Sequence, residues 1–169
     1  GIDILINNAA VFTASPVAEI TRGDYDRAFA VNVSGTLFTM QAVARHMIAR
    51  GKGGRIINMA SQAGRRGEPL VAVYCATKAG LRSFTKALRY QAEDTGTALQ
   101  ISEAILPVVD TTLSRGDPAK KMPPHAVAQA ILDGIAQGKA EIWIGKARAL
   151  RVIHAASPRL ADRIMRRMG

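Results

Sequence analysis

The feature that most constrains this chain is an order: short apolar runs alternate with longer stretches whose apolar residues recur at helical spacing. Ile4 to Asn7, Arg55 to Met59, Leu99 to Leu106 and Glu141 to Ile144 read as strands. The first is expected to be buried on both faces, as a strand inside a parallel sheet would be. Between the first two runs, Tyr25, Phe29, Val33, Leu37, Met40, Val43 and Met47 step by threes and fours. They predict an amphipathic helix from Thr21 to about Arg50, with an irregularity near Asn32 and Gly35. Thr21 with Asp24 and Asp26 marks its acidic start, and Gly51-Lys52-Gly53-Gly54 ends it. A second long helix is predicted over Val73 to Asp94, closed by Gly96, and a third over Ala126 to Gln137, stopped by Gly138. The stretch 110–124, with Pro118, Pro123 and Pro124, reads as a loop, and Ala147 to Met168 as helix interrupted at Pro158. Strand and helix in alternation predict an α/β fold with a parallel sheet and right-handed crossovers.

Composition narrows the class. The chain has 169 residues, 48% of them hydrophobic and only 5% aromatic, so one domain over 1–169 packs a core of Ala, Val, Ile and Leu. No apolar run approaches a membrane span. A single cysteine, Cys75, excludes an internal disulfide and fits a reducing, cytoplasmic setting. His46, His125 and His154 lie far apart and show no metal-ligand spacing. The net charge is +10, and residues 139–169 carry eight basic groups against Glu141 and Asp162. For the basic tail over 145–169, a solvated helix face is the favoured reading. The competing reading is a non-catalytic binding or peripheral membrane module, with Leu150, Val152, Ile153, Leu160, Ile164 and Met165 as one apolar stripe beside arginines. Nucleic acid is disfavoured because the tail has no interleaved aromatics for stacking. The chain opens on Gly1-Ile2-Asp3 at the entrance to a strand, which leads us to expect a longer protein with residues in front.

The chemistry gathers at Tyr74-Cys75-Ala76-Thr77-Lys78, with Ser61 thirteen residues upstream. Tyr74 and Lys78 are four apart on a predicted helix, so both side chains lie on one face. An ammonium beside a phenol is expected to lower the phenol pKa and yield a usable acid/base. Ser61 leaves the carboxyl end of a strand, where ligands bind in open parallel sheets. Its hydroxyl can hold a substrate oxygen opposite the tyrosine.

With these residues the sequence resembles the short-chain dehydrogenase/reductase family, NAD(P)-dependent oxidoreductases on a Rossmann-like sheet. Asp3-Ile4-Leu5-Ile6-Asn7-Asn8-Ala9-Ala10 is similar to the family's Asn-Asn-Ala-Gly motif, with Ala10 for glycine. Val31-Asn32-Val33-Ser34-Gly35 is similar to its active-site asparagine segment, and Ile56-Ile57-Asn58-Met59-Ala60-Ser61 to its serine strand. The resemblance implies that Tyr74 exchanges a proton with a hydroxyl or carbonyl. It implies that Lys78 lowers the tyrosine pKa and holds the nicotinamide ribose, that Ser61 orients the substrate oxygen, and that Asn32 positions a water linking Lys78 to solvent. Asn8 is implied as a cofactor contact. Leu106-Pro107-Val108-Val109-Asp110-Thr111 stands where the family has Pro-Gly-x-Val-x-Thr, which implies Val109 and Thr111 as further contacts to NAD or NADP.

The family's glycine-rich phosphate loop has no counterpart here, and the expected fold is therefore a partial Rossmann-type domain lacking the N-terminal βαβ cofactor half. Residues 1–79 resemble bacterial polyol dehydrogenases of the sorbitol and galactitol type, above all through Asn58 to Glu68. Residues 80–169 resemble another branch, with a basic helical tail in place of the usual last strand and its Gly-Gly ending. The implied substrate is a small secondary alcohol, a polyol among the candidates, or its ketone. The implied assembly is a homo-oligomer formed through helices at about 25–50 and 73–94. Five other residues receive plainer readings. Cys75 is expected to pack, Trp143 to lie in the core, His125 to sit in the first turn of a helix, and Arg65 and Arg66 to be solvated loop residues rather than phosphate ligands.

Overall fold

The structure is a computed structural model that describes residues 1–114 and 121–168, with side chains described up to residue 164. Pro118 and the side chains of Met165, Arg166 and Arg167, which figured in the reading of loop and tail, lie outside the described residues. The elements in chain order are β1 (Ile4–Asn7), α1 (Arg22–Phe29), a π-helical segment (Ala30–Gly35), α2 (Thr36–Ala49) and β2 (Gly54–Ser61). Then come α3 (Ala72–Asp94), β3 (Leu99–Leu106), α4 (Pro124–Ala136), β4 (Glu141–Trp143), α5 (Lys146–Ala156) and α6 (Pro158–Met168). The four strands form one sheet in the order β1-β2-β3-β4, every pair parallel.

The local signals act as their chemistry requires. The Thr21 hydroxyl accepts from the Asp24 backbone N–H at 3.1 Å and donates to the Asp24 carboxylate at 2.7 Å, so α1 starts on a reciprocal cap. Gly96, just past the end of α3, takes the left-handed conformation at φ 63° that a side chain disfavours. The expected irregularity near Asn32 and Gly35 is a π-helical turn inside one long helix, an arrangement that often accompanies functional sites.

Two apolar layers sandwich the sheet. On one face, Met40, Val43 and Met47 of α2 and Ala92 of α3 pack against Ile56 and Ile101. On the other, Val127, Ile131 and Ile135 of α4 cover Ile57, Ala104, Ile142 and Ile144. Strands β2 and β3 are therefore buried on both sides. β1 is not: Leu5 packs into the first layer, while Ile4 and Ile6 point the other way and are 54% and 51% exposed. The expectation of a doubly buried β1 is corrected, because among the described residues no helix covers that face.

The tail is also more specific than its sequence suggested. Leu150 and Ala161 are buried against one another, with Ile153 and Ile164 beside them, so α5 and α6 fold into a hairpin. The apolar stripe considered for a membrane is thus largely spent inside the hairpin, leaving Val152 and Leu160 exposed. Among the described residues no helix is long and apolar enough to cross a membrane.

Candidate active site

The site lies at the carboxyl ends of β2 and β3. β2 ends on Ser61, whose Oγ accepts from the Ala63 backbone N–H at 3.1 Å and caps a single 3-10 turn over Gln62–Gly64. That turn lies flat on α3. A Cβ at Gly64 would stand 2.7 Å from the Lys78 carbonyl carbon and oxygen, so only glycine permits the approach. The loop then runs to Leu70, the one described non-glycine residue with positive φ, at 63°. Its carbonyl accepts from the Ser15 backbone N–H at 2.7 Å, which holds the chain in that costly conformation.

One turn into α3, Tyr74 packs edge-on against Phe12, ring centroids 5.0 Å apart. Lys78, a turn further on, is 4% exposed. Its Nζ donates to the Met59 carbonyl at 2.9 Å and lies 5.7 Å from the centre of the Tyr74 ring. The two side chains share a face, as the four-residue spacing required.

Their proton affinities differ from expectation in one respect. Burial pushes the Tyr74 phenol up to about 12; a hydrogen bond with Ser61 works against the rise, and Glu68 and Cys75 add to it. In the protein alone Lys78 does not lower the phenol. Its ammonium is turned to the Met59 carbonyl, and burial instead pushes its own pKa down from 10.5 to about 8. The result is a neutral phenol beside a cation whose proton is labile slightly above neutral pH.

Asn32 is placed behind the site rather than in it. Its Oδ1 accepts from the Val11 backbone N–H at 2.8 Å, and its Nδ2 donates to the Val11 carbonyl at 3.0 Å and to Thr77 Oγ1 at 3.1 Å. Thr77 Oγ1 in turn donates to the Tyr74 carbonyl at 2.8 Å. Both amide hydrogens are thus committed to fixing the loop after β1 and the first turns of α3. Through these bonds the side chain positions the backbone that presents Tyr74.

The remaining expected residues meet at one cavity of about 660 Å³. Ser61, Tyr74, Lys78, Asn8, Val109 and Thr111 all line it, and Asn32 does not. The loop after β3 is tied down by Ser114, whose hydroxyl donates to the Val109 carbonyl at 2.5 Å. Gln62, Glu68, Phe12, Leu70 and Leu113 also line the cavity and were missed in the sequence. Gln62 and Glu68 stood in the polar loop after Ser61, but only folding shows which loop residues turn inward. Glu68 is half-buried, which pushes its carboxyl above the usual range. A second missed feature is a buried amide pair: Asn7 Nδ2 donates to Asn58 Oδ1 at 2.8 Å, and Asn58 Nδ2 donates to Thr85 Oγ1 at 2.9 Å.

The plainer readings divide. Cys75 is buried beside Ala63 and Val71, as a packing residue would be, and His125 stands in the first turn of α4. Trp143 is only half-buried: the guanidinium groups of Arg65 and Arg151 lie over its ring, 4.6 Å and 5.3 Å from its centre. Arg65 and Arg66 are not solvated. Their side chains are 13% and 7% exposed and are taken up by ion pairs, because acidic partners distant in sequence come to lie beside them.

Comparison with known proteins finds similarity in both sequence and fold. The family model for short chain dehydrogenases matches residues 1–121. Over 85 residues the chain is 73% identical to the sorbitol dehydrogenase of Cereibacter sphaeroides, covering 50% of this chain and 33% of that protein. Over 86 residues it is 58% identical to the galactitol 2-dehydrogenase of Agrobacterium fabrum, covering 51% and 34%. Among solved structures, a short chain dehydrogenase from Burkholderia cenocepacia in complex with NADP superposes with a TM-score of 0.87 at 26% identity, over 97% of this chain and 70% of that one. The matched part is about a third of the length of these curated relatives.

Proposed function

The chain belongs to the short-chain dehydrogenase family, and on that premise we propose that it carries the catalytic side of an oxidoreductase interconverting a secondary alcohol and its ketone with NAD or NADP. The observation that carries this reading is the single cavity in which Ser61, Tyr74 and Lys78 converge. The cavity's donor set suits the nicotinamide–ribose end of the cofactor. Lys78 would hold the ribose, while Asn8, Thr111 and the Val109 peptide, fixed by Ser114, would flank the ring. The phosphate end finds no glycine-rich strand-to-helix turn among the described residues. When bound, the dinucleotide supplies or accepts the two electrons exchanged with the substrate carbon.

The protein's own part is to bind one oxygen and move one proton. Ser61 offers its hydroxyl to the substrate oxygen, and Tyr74 supplies the proton. A phenol kept neutral up to about pH 12 is loaded for donation to a carbonyl oxygen. Lys78, with a pKa of about 8, is a proton source that Tyr74 can draw on across one helical turn. Phe12, Leu70 and Leu113 give the cavity an apolar wall beside these polar groups.

Gln62 and Glu68 add two further polar groups to the wall beside Tyr74, which supports a polyhydroxy substrate such as a polyol. Phe38 on α2 and Tyr90 on α3, both exposed, support the reading that these helices pair with a second copy. Cys75, a buried free thiol, supports a reducing compartment such as the cytoplasm.

The test is turnover of secondary alcohols and polyols, read as reduced nicotinamide, in the intact protein and its Tyr74→Phe variant. The variant keeps the contact with Phe12 and is expected to lose about 10²–10⁴ in kcat. Near-normal turnover in Tyr74→Phe would remove the assigned role.

A further inference from the structure

We propose that the C-terminal hairpin is a brace for the active-site loop, with Arg66 and Asp162 as positioning residues that hold residues 62–70 against the cavity. The proposal rests on the catalytic reading above, because what it positions is the wall containing Gln62, Glu68 and Leu70.

Two adjacent arginines divide the work. Arg65 faces the sheet: its Nη2 donates to Glu103 of β3 and to Glu141 of β4, each at 3.0 Å. Its guanidinium also lies over the Trp143 ring, and Arg151 of α5 approaches the same ring. Trp143 is fixed in turn, donating from Nε1 to Glu141 at 2.9 Å. Arg66 faces the hairpin, where its Nη1 donates to the Pro158 carbonyl at 3.4 Å and pairs with the Asp162 carboxylate. On the sheet, Ala147 of α5 packs on Ala60 and Ile105, so the hairpin stands next to the strand end that presents Ser61. The hairpin therefore reaches the site twice, once at the end of β2 through Ala60 beside Ser61 and once at the loop through Arg66, two residues before Glu68.

The energetics make this contact a sensitive one. The Arg66 side chain is 7% exposed, while that of Asp162 is 64% exposed. Among the described residues Arg66 Nη2 and Arg65 Nε have no hydrogen-bond partner. A buried guanidinium with only part of its donors satisfied stays in place only while its counterion does. Removing Asp162 is therefore expected to release Arg66 to solvent and to let the loop move with it. The fold itself should survive, because Asp162 contributes little to any core.

The test uses the intact protein and its Asp162→Asn and Asp162→Glu variants. Amide hydrogen exchange over 62–70 is compared with the rest of the chain, alongside steady-state kinetics. We expect Asp162→Asn to speed exchange over 62–70 by about tenfold and to lower kcat/KM by about tenfold through kcat, the scale set by slight misplacement of catalytic groups. Asp162→Glu should restore both. In the unmodified protein, added salt should speed exchange over the same segment by screening the exposed carboxylate, which keeps the idea testable if Asp162→Asn does not fold. Unchanged exchange in Asp162→Asn, or in high salt, overturns the brace. So does faster exchange with unaltered kcat/KM, since the loop would then be steadied to no effect on the site. If the parent shows no turnover at all, the functional reading fails by itself, and the exchange measurements still decide whether the hairpin holds the loop.

Discussion

Lys78 offers the most direct thermodynamic test of the site. Its side chain is nearly fully enclosed, and burial moves its pKa from 10.5 to about 8. Between those two values the unfolded chain binds a proton that the folded chain has given up. Stability contributed by this group is therefore fully present above pH 10.5 and is lost as pH falls through 8. At about 1.4 kcal/mol per pKa unit, the penalty for carrying the charge at pH 7 is about 3 kcal/mol. Lys78→Met keeps the chain length and apolar packing but removes the titration. It also strands the Met59 carbonyl, which costs about 1 kcal/mol at every pH. Urea denaturation of both proteins at a series of pH values from 7 to 10 gives the difference in unfolding free energy. The exposed lysines titrate alike in both and cancel. Relative to the parent, the variant should be more stable at pH 7 by about 2 kcal/mol and should lose that advantage as pH approaches 10. A difference that stays flat across the range would show that Lys78 is not desolvated, and its role as a proton source would go with it.

Two further perturbations probe the frame around the site. Gly64→Ala forces a Cβ to within 2.7 Å of the Lys78 backbone, with rigid main chain on both sides. Thermal or urea unfolding should show a loss of about 1–3 kcal/mol, and an unchanged midpoint would mean that the 3-10 turn and α3 are not in that contact. Asn32→Ala leaves both Val11 backbone groups without their partner and Thr77 without a donor. A loss of about 2–4 kcal/mol is expected in urea, together with lowered turnover because Tyr74 is held through Thr77. Stability within experimental error of the parent would contradict the bonding described.

Much of the fold was legible because its signals are local. β3 has the span its apolar run implied, α3 begins one residue before its predicted start and ends where expected, and Gly96 caps it. The proximity of Tyr74 and Lys78 follows from helical geometry alone, and Ser61 at a strand's carboxyl end follows from the run before it. The residues that were misplaced share a different property. Arg65 reads in sequence as one more polar loop residue, yet Glu103 and Glu141 meet it from 38 and 76 positions away. Asp162 reaches Arg66 across 96 positions. No periodicity encodes such meetings.

The sequence by itself therefore determined the alternation of strands and helices, the faces of the long helices, and the three groups able to handle one oxygen and one proton. Tertiary structure decided which face of β1 is covered, where Asn32 spends its amide, which way the Lys78 ammonium turns, and that two loop arginines are gripped by sheet and tail. The division has a physical cause. Backbone propensity and side-chain periodicity act over a few residues, whereas burial and hydrogen-bond partnership are set by whichever distant segments the fold brings into contact.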